Sequence, residues 1–171
     1  MTDVIYPFLQ RLGVMWHAGM ANPGQEHFII HLIRQKLIVA TEKIALSPET
    51  NSKKFILFLP ENEFHEIAIL YYNFYLRLNH FTTYYFGQSV PFEDLEKAYK
   101  QIQPDYLLTV ITCPKEQLDA QSYLKKLSSH FNTAKIFVSG AQGVFTKVQL
   151  PKNIELFRNP SEFSERINSK K

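Results

Sequence analysis

A chain of 171 residues, 45% hydrophobic and 20% charged, is long enough for one domain of ordinary size plus a small appendage, and apolar enough to bury a core. Its formal charge of +3, with the basic residues scattered, neither demands nor excludes a nucleic-acid partner. The lone Cys113 excludes an intramolecular disulfide framework and fits a reducing cytoplasm; no long apolar run or charged-then-apolar leader is present, so neither a membrane-spanning helix nor a signal peptide is expected.

In chain order, the spacing of Phe8, Leu9, Leu12, Met15 and Trp16 predicts a helix over residues 6–20. A turn follows, in which Asn22 can cap and Pro23 can take a first helical position. A second helix is predicted over 25–45, its apolar stripe running through Phe28, Ile29, Leu32, Ile33 and Leu37. Such a hairpin cannot bury its stripe alone, so residues 1–46 are expected to be a segment of a helical bundle. The polar stretch 47–54 reads as a linker, and a second domain is expected over 53–171.

From there short apolar strands alternate with helices. Strands are predicted at 55–59, 82–86, 106–111, 135–138 and 153–157, and helices at 62–78, 91–101, 115–129 and 161–167. Residues 141–150 fit either a short helix or a loop. This alternation predicts an α/β fold with a parallel sheet covered on both faces. Five strands point to the flavodoxin-like, Rossmann-like order 2-1-3-4-5, in which ligands bind at the carboxyl ends of the strands.

The loop after the first predicted strand contains Glu63-x-His65. There an imidazole can offer one nitrogen to a metal while a carboxylate orients the ring through the other. The same residues could simply begin a helix, where acids are favoured by the dipole. His27 and His31 stand four apart on one predicted helix, but no third ligand is marked and the pattern is not H-E-x-x-H, so a structural metal has little support. Cys113, before Pro114, has no evident activating base and reads as a loop residue. His80 and His130 fall near helix ends, where imidazoles meet terminal carbonyls. Dinucleotide and P-loop signatures are absent.

Glu63-x-His65-x-x-Ala68 resembles the D/E-x-H-x-x-G motif of base-off cobalamin-binding domains, which have the predicted fold and carry the motif just after the first strand. Tyr85-Phe-Gly87-x-x-x-Pro91-x-x-x-Leu95 is similar to the LG-x-x-x-P-x-x-x-L run after their second strand. In the helical hairpin, Trp16 followed after nine residues by Glu26-His27 resembles the W-x9-E-H signature of MerR-family light-sensing regulators of the CarH type. Tyr6-Pro-Phe-Leu9-x-x-Leu-Gly13 and the later Ile33-Arg34-x-x-Leu37 extend that similarity to nearly the whole chain.

The resemblance implies a non-enzymatic sensor: the effector domain of a MerR-type transcriptional regulator that binds adenosylcobalamin. His65 would ligate cobalt from below, with Glu63 behind it. Trp16, Glu26 and His27 would pack around the adenosyl group above, and His17 would take the upper cobalt position after light cleaves the cobalt–carbon bond. It further implies a homo-oligomer whose state changes with light, a cytoplasmic location, and DNA contact only through an N-terminal helix-turn-helix that these residues lack, so the chain reads as a fragment of a longer regulator.

The sequence departs from the cobalamin pattern at two places. Val110 and Thr112 stand at the Ser and Leu of an S-x-L motif, which reads as the loss of a hydroxyl near the nucleotide tail or the ligand His. Ser139-Gly140 replaces a Gly-Gly pair, so Ser139 is expected to crowd the tail. Two other readings therefore stay open: a corrinoid protein serving a methyltransferase, and a degenerate regulator domain that acts in oligomerisation without cofactor.

Overall fold

The computed structural model describes residues 7, 8, 11, 22–45, 52–112, 119–140, 145 and 148–168. In chain order the elements are α1 (Pro23–Glu42), β1 (Lys54–Pro60), α2 (Ile67–Leu78), β2 (Thr82–Val90), α3 (Phe92–Ile102), β3 (Tyr106–Ile111), α4 (Ala120–His130), β4 (Lys135–Gly140), β5 (Ile154–Leu156) and α5 (Pro160–Asn168). The strands form one parallel sheet in the order β2-β1-β3-β4-β5, the Rossmann-like arrangement expected from the alternation.

Strand periodicity explains the two layers of core. Ile56 and Phe58 of β1, Leu107 and Ile111 of β3, and Ile136 and Val138 of β4 point to one face, where Leu95 of α3 and Leu124 and Leu127 of α4 cover them. Phe55, Leu57, Leu59, Leu108, Val110 and Phe137 point to the other, under Ile69, Tyr72 and Leu76 of α2 and Phe163 and Ile167 of α5. The high aromatic content is spent largely here: Tyr72 meets Phe157 edge-on at 5.1 Å and Phe163 at 4.9 Å.

Four boundaries differ from expectation by three residues or more. Helix α4 begins at Ala120, with Asp119 as its cap, instead of at 115, and residues 113–118 lie outside the described ones. The other three have local reasons. Helix α2 begins at Ile67, not at residue 62, because Glu63 turns its side chain onto the His65 N–H at 3.1 Å and its own N–H onto Pro60 at 2.9 Å. Both bonds compete with a helical start. Strand β2 runs past Gly87 to Val90, with register shifts against β1 on either side of Phe58, so it is a twice-bulged edge strand. Helix α1 stops at Glu42 instead of 45 and starts at Pro23, two residues before the expected 25; Asn22 caps it as read, in a capping box with Gln25, and Pro23 takes the first helical position. Of the predicted helix over 6–20, only Pro7, Phe8 and Arg11 lie among the described residues, and all three are helical. No helix among the described residues is long and apolar enough to cross a membrane.

Candidate functional site

The carboxyl ends of β1, β3 and β4 bring the sequence-marked residues to one edge of the sheet. From β1 the chain turns through Asn62, in the left-handed region at φ 67, and presents Glu63 inward and His65 outward. The Glu63 side chain is only 6% exposed, whereas the His65 side chain is 63% exposed. Glu63 Oε1 lies 2.6 Å from His65 Nδ1. Its Oε2 accepts from the Thr112 N–H and from the Thr112 hydroxyl, each at 3.0 Å. The same hydroxyl lies 3.0 Å from His65 Nδ1. Thr112 therefore closes a three-membered network just beyond the end of β3.

Burial pushes the Glu63 carboxyl up, but hydrogen bonds from the His65 ring, the His65 backbone and both donors of Thr112 outweigh it and hold it at about 2. An ionised Glu63 keeps the imidazole proton on Nδ1, so Nε2 is the nitrogen through which this ring would ligate a metal. The expected loss of a hydroxyl at this edge is corrected by the structure. Val110 is 2% exposed in the core beneath, and the hydroxyl facing His65 comes from Thr112, two residues further on.

The loop is held from its open side by the end of β2. Ser89 donates its N–H to the Glu63 carbonyl at 3.1 Å and accepts the Asn62 N–H on its hydroxyl at 3.1 Å, while the Gln88 amide donates to the Phe64 carbonyl at 2.8 Å. Gly87 at φ 76 and Ser89 at φ 50 give β2 the bends that aim these groups at the loop. Behind His65, the buried Glu66 pairs with Arg34 of α1 and accepts the Tyr85 hydroxyl at 3.1 Å. Burial, then the Glu66 charge, pushes the Tyr85 phenol up, keeping it a donor.

Ser139 and Gly140 lie opposite Val110 and Ile111 on β4. Gly140 is required by the backbone itself: at φ 154, a Cβ there would come within 1.8 Å of the Ile111 carbonyl oxygen. Ser139 is buried, with 6% exposure. Beyond Gly140 a cavity of about 830 Å³ runs along β5, lined by Phe145, Leu156, Arg158 and Arg166 among others. That volume falls within the usual range of small-molecule pockets.

Glu26 and His27 occupy the first turns of α1, half-buried and exposed respectively. Trp16 and His17 lie outside the described residues, as does Cys113. His27 and His31 are both exposed, and among the described residues no group of three or more His, Cys, Asp or Glu could hold a metal ion. His130 meets the Lys126 carbonyl from Nδ1 at 2.8 Å, as expected for a helix end. Sequence reasoning did not find Arg34, Tyr85, Glu66, Gln88 or Ser89 as supports of the His65 loop. The bulges that bring β2 to the loop leave no periodic signal.

No protein-family model matches the chain. It is 28% identical over 127 residues to the HTH-type transcriptional repressor CarH of Myxococcus xanthus, a match that spans 73% of this chain and 41% of that protein's length. Among solved structures it resembles the monomethylamine corrinoid protein of Methanosarcina barkeri, with a TM-score of 0.73 at 14% identity over 95% of this chain and 78% of the other. It also resembles a cobalamin-binding protein of Desulfitobacterium hafniense DCB-2, with a TM-score of 0.58 at 15% identity over 92% and 75%. A third is the methanol:cobalamin methyltransferase complex of Methanosarcina barkeri, with a TM-score of 0.57 at 13% identity over 93% and 61%. The shared property is the fold, a five-stranded Rossmann-like domain with its helices around it.

Proposed function

We propose that the chain is a cobalamin-binding module in which His65 ligates cobalt through Nε2 in a base-off arrangement. The carrying observation is the Glu63–His65–Thr112 network at the carboxyl edge of the sheet. A single exposed imidazole does not make a site for a bare divalent ion, which takes about four protein or water donors. It does suit a metal whose equatorial positions a macrocycle already fills. The cavity beyond Gly140 adds room beside the end of β4 for the nucleotide tail; Val110 and Ser139 are a buried pair in the sheet next to Gly140.

The further reading is that the module is the sensor part of a transcriptional regulator and not a catalyst. The similarity to the CarH repressor supports this, as does Trp16 separated by nine residues from Glu26-His27. Adenosylcobalamin would supply a cobalt–carbon bond that light can cleave. Around it Trp16, Glu26 and His27 would pack against the upper group, and His17 would stand ready for the vacated cobalt position. Differential contact of the two ligand states with the helical segment would bias the oligomeric state. DNA would be reached only through a helix-turn-helix outside these residues. A corrinoid protein of a methyltransferase system is equally consistent with the fold, and the TM-score of 0.73 favours keeping it as the second reading.

Mixing the protein with adenosylcobalamin in the dark and following the visible spectrum and particle size before and after green light tests both. Stable binding with a light-dependent size change is expected for the sensor. Binding of methylcobalamin with no change of size points to the corrinoid carrier. If no corrinoid is retained, both readings fail and the degenerate domain stands. His65→Ala is expected to abolish the His-ligated spectrum, and an unchanged spectrum would defeat the lower-ligand assignment.

A further inference from the structure

Helix α1 meets the α/β body along one stripe. Arg34 pairs with Glu66, Leu37 is fully buried, Thr41 is 6% exposed, and the Ile44 carbonyl accepts from Arg77 Nη2 at 3.2 Å. These residues are spaced three, four and three apart, which is one face of a helix and its C-terminal extension. Glu66 immediately precedes α2 and Arg77 closes it, so α1 and α2 run side by side in the same direction.

This register has a geometric consequence. Arg34 is level with Glu66, which sits beside His65 at the carboxyl edge of the sheet. The eleven residues of α1 before Arg34, from Pro23 to Ile33, therefore project past that edge by roughly 16 Å. Glu26 and His27 stand roughly 10–12 Å beyond Arg34 along the helix axis. Phe28 and Leu32 on this half are 66% and 43% exposed and Val39 beyond Arg34 is 51% exposed, so one outward stripe, turned away from α2, runs the length of the helix. Among the described residues, the last charged anchor where the helix leaves the body is Arg34. Glu66, in turn, is pinned by the Tyr85 hydroxyl of β2.

We propose that Arg34, Glu66 and Tyr85 form the pivot that fixes how the projecting half of α1 stands over His65, and that this pivot sets the preference of the site for a bulky upper group on cobalt over a small one. The proposal rests on the corrinoid reading above. Glu66 and Arg34 act here as positioning residues, through the helix they hold. The carboxylates at 63 and 66 divide the work on either side of His65: Glu63 fixes the ring to the sheet, and Glu66 fixes the helix above it.

Two measurements on the full chain test this. In the cofactor-free protein, Arg34→Ala is expected to speed amide hydrogen exchange over residues 23–33, with α2 and the strands unaffected. In the loaded protein, the same variant is expected to lower the preference for adenosylcobalamin over methylcobalamin roughly tenfold, within the usual span of coupling between groups, while the His-ligated spectrum persists. Arg34→Lys should recover part of the preference. If Arg34→Ala does not fold, Tyr85→Phe removes only the hydroxyl bond to Glu66 and should move the preference the same way by less. An unchanged preference overturns the pivot, whether or not exchange is faster. If the unaltered chain takes up neither corrinoid, the cofactor reading falls and the selectivity claim with it. Wild-type binding with an unmoved preference in the variants sinks the pivot alone.

Discussion

Thr112 gives the Glu63 carboxylate two hydrogen bonds, one from its backbone N–H and one from its hydroxyl, both 3.0 Å long. The backbone bond would exist with any non-proline residue at 112. The hydroxyl bond would not, and it also meets His65 Nδ1, so Thr112 links the end of β3 to the ring that β1 presents.

Replacing Thr112 by Val keeps the shape and the backbone bond and removes the hydroxyl. A hydrogen bond to a charged group contributes about 1.5–3 kcal/mol, so Thr112→Val is expected to lower unfolding stability by about 1.5 kcal/mol in urea denaturation at neutral pH. Thr112→Ser should stay close to the native chain. The variant should also loosen the His65 ring, seen as weaker corrinoid uptake with a reduced His-ligated fraction. Native stability in Thr112→Val would show that the hydroxyl bond carries no net energy.

Glu63 makes stability depend on acidity in a defined window. Its carboxyl titrates at about 2 when folded and near the ordinary 4.5 when unfolded. The unfolded chain thus binds the proton first as pH falls, and the stabilisation, on the order of 3 kcal/mol, is whole above pH 4.5 and fades towards pH 2. Glu63→Gln lacks this contribution. The gap between native and Glu63→Gln unfolding free energies should be widest at pH 6–7 and nearly closed at pH 2. A gap that stayed constant across that range would mean the carboxylate is not held as described.

The order of the sheet and the position of the site were legible because they rest on periodicity and on connection rules. Apolar strands such as 106–111 alternate between two buried faces, and parallel neighbours need crossover helices, which leaves few topologies. His65 could be placed at the carboxyl edge for the same reason. What the sequence hid was side-chain direction. An S-x-L motif would put a hydroxyl at 110, but Val110 points into the core while Thr112, past the last paired residue of β3, turns back to Glu63. Periodicity does not reveal the start of α2 at Ile67, because the Glu63 carboxylate takes the His65 N–H and the Glu63 N–H turns back to the Pro60 carbonyl. Ser89 and Gln88 were invisible as supports since bulges, not alternation, aim them.

Ser139 and Gly140 look alike in the comparison with a Gly-Gly pair, yet the structure separates them. At 140 any side chain meets the Ile111 carbonyl at 1.8 Å, and that oxygen is backbone and cannot swing aside. Gly140→Ala must therefore part β3 from β4 at the ligand edge or distort φ, and is expected to cost at least about 2 kcal/mol. At 139 the backbone makes no such demand, so Ser139→Gly should cost only about 1 kcal/mol, the usual penalty for glycine within a strand. If the Ser139 side chain crowds a nucleotide tail, Ser139→Gly should bind cobalamin more tightly than the native chain while cobinamide, which lacks that tail, binds as before. Thermal unfolding of the two variants and titration with both corrinoids check each half. Equal destabilisation by the two substitutions would defeat the backbone argument, and equal gains for cobalamin and cobinamide would defeat the crowding argument.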